Sequence, residues 1–128
     1  RHGLFDGVLL KENHIAWAGS VATAVTAARE AAPHTARVQV EVESLEELNQ
    51  AVAAGVDAVL LDNFAPADLR TAVANHASHC FLEASGNIGP ANVREVAETG
   101  VHAISSGSLT RDLTSLDLSM RFRASAPA

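Results

Sequence analysis

Two segments decide the architecture: Ala36-Arg-Val-Gln-Val-Glu-Val-Glu-Ser-Leu-Glu-Glu-Leu48 and Ala58-Val-Leu-Leu-Asp-Asn-Phe64. Val38, Val40 and Val42 alternate with Gln39, Glu41 and Glu43, the period of two expected of a strand with one apolar and one polar face. Ser44 and Glu47 have capping-box spacing, Leu45, Leu48 and Val52 fall on one helical stripe, and Gly55 stops the helix. The run from Ala58 to Leu61 is wholly apolar and ends on Asp62. A strand, a helix and a strand in that order form a crossover, which makes the two strands parallel. Glu41 and Asp62 then lie near the carboxyl ends of neighbouring strands, where α/β folds place ligands.

The same grammar extends in both directions. Gly7-Val-Leu-Leu-Lys11 reads as a short buried strand ending on Lys11, and Glu12 to His14 as a loop. Ser20 caps a helix carrying Val21, Ala24, Val25 and Ala28 that Pro33 ends. Pro66 opens a helix with Leu69, Ala72 and Val73 on its apolar face. Residues 79–84 read as a strand closed by Ser85-Gly86-Asn87. Pro90 opens a helix with Val93, Val96 and Ala97 that Gly100 ends, and Val101 to Ile104 form the last clear strand. Leu116 to Phe122 read as a strand or a short helix, and 124–128 as a frayed tail after a unit spanning 1–123.

The strand ends fall at Lys11, Glu41, Asp62, Ser85 and Ser105, all polar. Repeated strand-helix units with polar groups at one edge describe a (β/α) barrel or a doubly wound sheet. Inward polar positions at Gln39, Glu41 and Glu83 favour the barrel, whose lumen accommodates them. A full barrel takes roughly 250 residues and eight units. The chain of 128 residues therefore supplies about half of an incomplete (β/α) barrel of parallel strands. Such a half leaves two exposed sheet edges and one uncovered apolar face, which calls for a further segment or a partner.

Bulk properties bound the function. A hydrophobic content of 48% and a mean hydropathy of +0.12 fit a globular core in one domain. No apolar run approaches the roughly 20 residues of a membrane span, so no membrane role and a cytoplasmic location are expected. The single cysteine, Cys80, excludes an internal disulfide and fits a reducing compartment and core packing. A net charge of −6 argues against nucleic acid, which needs a basic face. The chain begins at Arg1 without methionine, which suggests processing or a missing amino-terminal part.

The chemistry available at the polar edge leaves alternatives open. Ser85-Gly86-Asn87 and Ser106-Gly107-Ser108 follow successive strands and suit a phosphate, through backbone N–H groups and hydroxyls. Glu41 and Asp62 could hold Mg²⁺, could stabilise a developing cation, or could pair structurally with Lys11 and Arg1. Lys11 and Arg1 suit carboxylates or pyrophosphate, and a barrel lysine can also form a Schiff base. His14 could donate a hydrogen bond at the mouth, while His34, His76 and His79 read as solvated and Trp17 as a local packing anchor.

Seven blocks in unbroken order resemble quinolinate phosphoribosyltransferases: 1–14, 40–47, 60–64, 83–87, 98–101, 107–110 and 116–122. The resemblance covers the carboxyl-terminal half of that family, whose members carry an amino-terminal α/β domain and the first barrel strands before it. It implies an incomplete α/β barrel working as a homodimer or larger homo-oligomer, with Mg²⁺ as cofactor. By resemblance, Arg1 and Lys11 hold quinolinate carboxylates or phosphoribosyl pyrophosphate, and Glu41 and Asp62 are the acidic pair near the ribose and its Mg²⁺-pyrophosphate. Ser85, Gly86, Asn87, Gly107 and Ser108 would bind the 5-phosphate, beside Ser106 in the same turn. The implied reaction makes nicotinate mononucleotide, with Lys11, Glu41 and Asp62 as its catalytic groups. The resemblance has departures: the family's histidine before Arg1 and its upstream Arg-Lys pair are not in this sequence, which matters most for the quinolinate pocket, Gln39 stands where an acid is common, and Arg111 where histidine or lysine is common. Competing readings are a related enzyme of the molybdenum-transport type and a non-catalytic half barrel that binds a phosphate ligand or a partner chain.

Overall fold

A computed structural model describes residue 3 and residues 5–123. Its centre is a five-stranded parallel sheet in the order β1-β2-β3-β4-β5, with strands Gly7–Leu10, Arg37–Val42, Ala58–Asp62, Phe81–Ser85 and Ala103–Ile104. The helices are α1 (Glu12–Ala18), α2 (Val21–Ala31), α3 (Leu45–Ala53), α4 (Pro66–His76), α5 (Val93–Ala97) and α6 (Ser108–Arg111). Sequential order with parallel pairing is the pattern of an unclosed (β/α) barrel, so β1 and β5 are the open edges expected of it.

Register separates the faces of the sheet. Leu10, Val40, Val59 and Leu82 align in one row and Val42, Leu61, Ala84 and Ile104 in the next. Of these, Val40, Val42, Val59, Leu61, Leu82 and Ala84 are at most 1% exposed. They form one core with Val25 from α2, Leu48 and Ala51 from α3, and Leu69 and Ala72 from α4. The opposite face carries Gln39 beside Ala58 and Phe81, Glu41 beside Leu60 and Glu83, and Asp62 beside Ser85. The alternation in β2 thus becomes a sheet with a dry outer face and a polar inner one.

Local signals set the helix ends. Ser20 and Ser44 accept from the Thr23 and Glu47 N–H groups, and the Glu47 carboxylate reaches back to the Glu43 N–H at 2.9 Å. Pro66 occupies the first turn of α4, and Gly55 adopts a φ of +77° just beyond α3. Asp57 ties the start of the sheet to α2: it accepts the Val38 N–H at 2.8 Å and pairs with Arg29 at 3.3 Å.

Several expectations are corrected. Residues 12–14 are not a loop but open the helix Glu12–Ala18: the Lys11 N–H donates to His14 Nδ1 at 3.0 Å, and Gly19 closes the helix at a φ of +86°. Trp17 on that helix is 93% exposed and anchors no packing among the described residues. Pro90 lies in a turn and α5 begins at Val93, because the Asn92 side chain binds the Gly89 N–H and the Asn87 carbonyl and holds the loop open. The last strand has only two residues, and 116–122 form neither strand nor helix. Cys80 is buried but precedes β4. His76 is bound to Asn49 Oδ1 at 2.8 Å, linking α4 to α3. The alternation of Leu116, Leu118, Met120 and Phe122 leaves all four side chains exposed. The uncovered apolar surface is therefore not the sheet face, which is polar. It lies along this segment and in a groove of about 810 Å³ beside β1, lined by Phe5, Val8, Trp17, Ala24, Ala28 and Pro33 among others. The notional tail at 124–128 lies outside the described residues.

Leu61→Ala should lower unfolding free energy by about 2–5 kcal/mol, whereas Leu116→Ala should change it by less than about 0.5 kcal/mol. Urea titration followed by circular dichroism measures both.

Candidate active site

The carboxyl ends of β3 and β4 build the most ordered part of the polar edge. Asp62 and Ser85 are register partners and the last residues of their strands. Ser85 Oγ donates to Asp62 Oδ1 at 2.8 Å, and Asn63 Nδ2 donates to Asp62 Oδ2 at 2.7 Å. Both carboxylate oxygens thus have a donor, and the group is aimed by two strands. The chain then turns at Asn63 (φ 55°) and Asn87 (φ 50°), the non-glycine residues with positive φ among those described. Asn87 Nδ2 donates to Asn63 Oδ1 at 2.9 Å, and the Asn63 N–H donates to the Ser85 carbonyl at 3.0 Å. Gly86 sits at a φ of +86°, and a Cβ there would lie 2.7 Å from the Asn63 nitrogen. Glycine is required by both the conformation and the close approach.

Lys11, just after β1, reaches Glu41 near the end of β2, with Nζ 3.3 Å from Oε1. The lysine side chain is 46% exposed and the glutamate 12%. The hydrogen bond to Glu41 and that carboxylate's charge push the Lys11 pKa above its ordinary value, with Glu12 and more weakly Asp62 adding to the shift. Lys11 therefore stays cationic across the physiological range. A raised folded-state pKa makes the pair fully stabilising below the ordinary lysine value, and that stabilisation disappears as pH climbs through the folded one. This is the structural pairing that the sequence left open for Glu41 and Lys11. Deeper on the same face, Glu83 accepts from Gln39 Nε2 at 2.8 Å and from Ser105 Oγ, so β2, β4 and the chain after β5 are joined by one carboxylate. The amide at 39 serves there as a donor that an acid could not provide.

The second glycine turn is drawn to the first. Ser106 Oγ donates to the Ile88 carbonyl and lies 2.7 Å from Ser108 Oγ, while Ile88 itself follows the Ser85–Asn87 turn. Gly107 has ordinary φ and open space at its Cβ position, so its turn makes no steric demand for glycine. His14 accepts the Lys11 N–H and borders the apolar groove beside β1. Arg1 lies outside the described residues. Sequence reasoning missed Asn63, although an Asp-Asn pair at a strand end followed by a proline-started helix is a recognisable signal for a left-handed turn.

No group of three or more His, Cys, Asp or Glu residues able to hold a metal occurs among the described residues. Glu41 and Asp62 lie on the inner face of adjacent strands, and carboxylates used singly or in pairs, beside substrate phosphates and water, are the donor type of Mg²⁺ sites.

A parallel strand-helix sheet with two acids, a lysine and two small-residue turns at its carboxyl edge defines a partial (β/α) barrel, a fold whose ligand sites lie at that edge. The family described as "Quinolinate phosphoribosyl transferase, C-terminal domain" matches residues 1–121, and the chain belongs to it. A Bacillus subtilis (strain 168) protein named probable nicotinate-nucleotide pyrophosphorylase (carboxylating) is 42% identical over 120 residues, covering 94% of this chain and 42% of that protein. The Homo sapiens nicotinate-nucleotide pyrophosphorylase (carboxylating) is 41% identical over 127 residues, covering 97% and 43%. The crystal structure of NadC from Streptococcus pyogenes superposes with a TM-score of 0.86 at 42% identity, over 95% of this chain and 43% of that one. The chain spans less than half the length of these relatives.

Gly86→Ala should destabilise the protein by about 1–3 kcal/mol in urea unfolding, since alanine meets both the strained φ and the Asn63 backbone. Glu41→Gln should shift the Lys11 titration downward, read from its ¹³Cε resonance, because the neighbouring negative charge is removed.

Proposed function

We propose that the protein carrying this chain transfers the phosphoribosyl group of phosphoribosyl pyrophosphate to quinolinate and releases carbon dioxide, giving nicotinate mononucleotide for NAD synthesis. The observation that carries this reading is the convergence on one sheet edge of an aimed Asp62, the Lys11–Glu41 pair and the Ser85-Gly86-Asn87 turn. The family membership and the names of the relatives support it.

In this mechanism the pyridine nitrogen attacks C1 of the ribose, the bond from C1 to the pyrophosphate oxygen breaks, and pyrophosphate leaves. The bond from ring C2 to its carboxylate then breaks, carbon dioxide departs, and a proton takes its place on the ring. Asp62, held by Ser85 and Asn63, would stabilise the positive charge that develops on the ribose as pyrophosphate departs. Glu41 would orient Lys11, whose permanent charge suits a quinolinate carboxylate or the pyrophosphate. Arg1 would supply a second cation with two-pronged geometry. Ser85, Gly86, Asn87, Ser106, Gly107 and Ser108 would hold the 5-phosphate, and His14 would bound the opening. Bound Mg²⁺, held by Glu41 and Asp62, would offset the negative charge of the pyrophosphate. Positioning two anionic substrates supplies much of the rate enhancement in such transfers.

The groove beside β1 marks where the fold is incomplete. The additional length of the relatives is the natural source of a strand-helix unit to cover it, and a homodimer or larger homo-oligomer would shield the remaining apolar surface. No helix among the described residues is long and apolar enough to cross a membrane, and a cytoplasmic location is part of the proposed reading.

A verified 128-residue polypeptide should form no measurable nicotinate mononucleotide, whereas the full gene product should form it only when quinolinate is supplied. In the full product, Asp62→Asn should lower kcat/KM by about 10²-fold or more. Chromatographic product analysis, with intact mass to verify each sample, decides the matter. Turnover by the short polypeptide would refute its predicted incompleteness, and a full product indifferent to quinolinate would refute the reaction.

A further inference from the structure

We propose that Asn63 is a positioning residue that locks the Asp62 carboxylate to the Ser85-Gly86-Asn87 turn, so that the acidic group and the phosphate-binding turn are held as one unit. This inference rests on the phosphoribosyl-transfer reading and assigns a positioning role to a residue outside the proposed catalytic groups.

Asn63 is exposed, yet it holds a φ of 55° and uses both ends of its side-chain amide. Nδ2 donates to Asp62 Oδ2 at 2.7 Å, and Oδ1 accepts from Asn87 Nδ2 at 2.9 Å. The amide orientation follows from chemistry, because an ionised carboxylate only accepts and must therefore face the nitrogen. Its backbone is committed to the same partner strand, with the N–H on the Ser85 carbonyl. Gly86 closes over it so tightly that any side chain there would collide with Asn63. The two left-handed asparagines thus face each other across the ends of β3 and β4.

Folding alone gives little reason for this arrangement. Hydrogen bonds between exposed groups replace bonds to water and contribute little net stability, while the left-handed turn could be made by glycine without strain. What glycine would not provide is the amide bridge. Backbone strain maintained at an exposed polar edge is the pattern found where a site is preorganised. Misplacing a charge by about 1 Å costs large factors in such sites, and Asn63 fixes the second Asp62 oxygen where Ser85 fixes the first, which sets the rotation of the carboxylate relative to the turn.

The test compares Asn63→Gly and Asn63→Asp with the unsubstituted full gene product. Glycine keeps the turn and deletes the bridge; aspartate keeps the shape and replaces the donor facing Asp62 with an acceptor. Melting temperature, kcat and KM for both substrates, and calorimetric binding of ribose 5-phosphate are measured. The expected result is a glycine variant that melts within a few degrees of the parent, loses about tenfold or more in kcat/KM, and shows a larger rise in KM for phosphoribosyl pyrophosphate than for quinolinate. Ribose 5-phosphate affinity should fall in parallel, and Asn63→Asp should lose at least as much. A folded glycine or aspartate variant with kcat, both KM values and ribose 5-phosphate affinity within twofold of the parent overturns the inference while leaving the reaction intact. An unsubstituted product that neither turns over nor binds ribose 5-phosphate overturns the reaction and, with it, the inference.

Discussion

Burial of Val40, Val59, Leu61 and Leu82 in register against α2, α3 and α4 is the interaction on which everything else depends. Each of those side chains is fully buried, and removing one from water is worth about 1.5–3 kcal/mol. Because strand residues alternate, committing this set to the helix side forces Gln39, Glu41, Asp62, Glu83 and Ser85 onto the other face. Placement of the acids is thus a by-product of core packing. A one-residue slip of β2 would drive Glu41 into the core and expose Val40, so the register that stabilises the fold also protects the site.

The inner face shows how polar groups are accommodated there. Glu41 is largely covered but paired with Lys11, Glu83 has donors from Gln39 and Ser105, and Asp62 has donors from Ser85 and Asn63. Each carboxylate is held by groups from strands of the same sheet or the residues that follow them. Rigid elements therefore aim the charges, while the turns at 85–87 and 106–108 supply small residues around the edge. Such a division of labour suits chemistry that depends on alignment and charge more than on a strongly activated nucleophile.

The incompleteness of the fold has equally specific origins. Among the described residues β1 pairs on one side only, and α1 and α2, which follow it, leave an apolar groove beside it instead of a packed neighbour. The alternating Leu116, Leu118, Met120 and Phe122 have strand-like composition, yet among the described residues no strand pairs with them and they stay exposed. Strand pattern becomes strand structure only when an edge is available to pair with it.

The chain by itself determined the periodicities: two in β2, helical in α2 to α4, serine caps at Ser20 and Ser44, Pro66 at a helix start and polar residues at the ends of β3 and β4 and next to those of β1, β2 and β5. These are local properties of side-chain spacing and backbone preference, so they survive without knowledge of neighbours. The tertiary structure decided the rest. Helix α1 depends on a backbone-to-His14 cap and a left-handed Gly19, and Pro90 is diverted into a turn by Asn92 bonds to residues before it. Pairing of Lys11 with Glu41, the reach of Gln39 to Glu83, and the contact between Asn63 and Asn87 join residues 24 to 44 positions apart. No spacing rule encodes such partners, because their meeting is set by strand register and by the packing that fixes it.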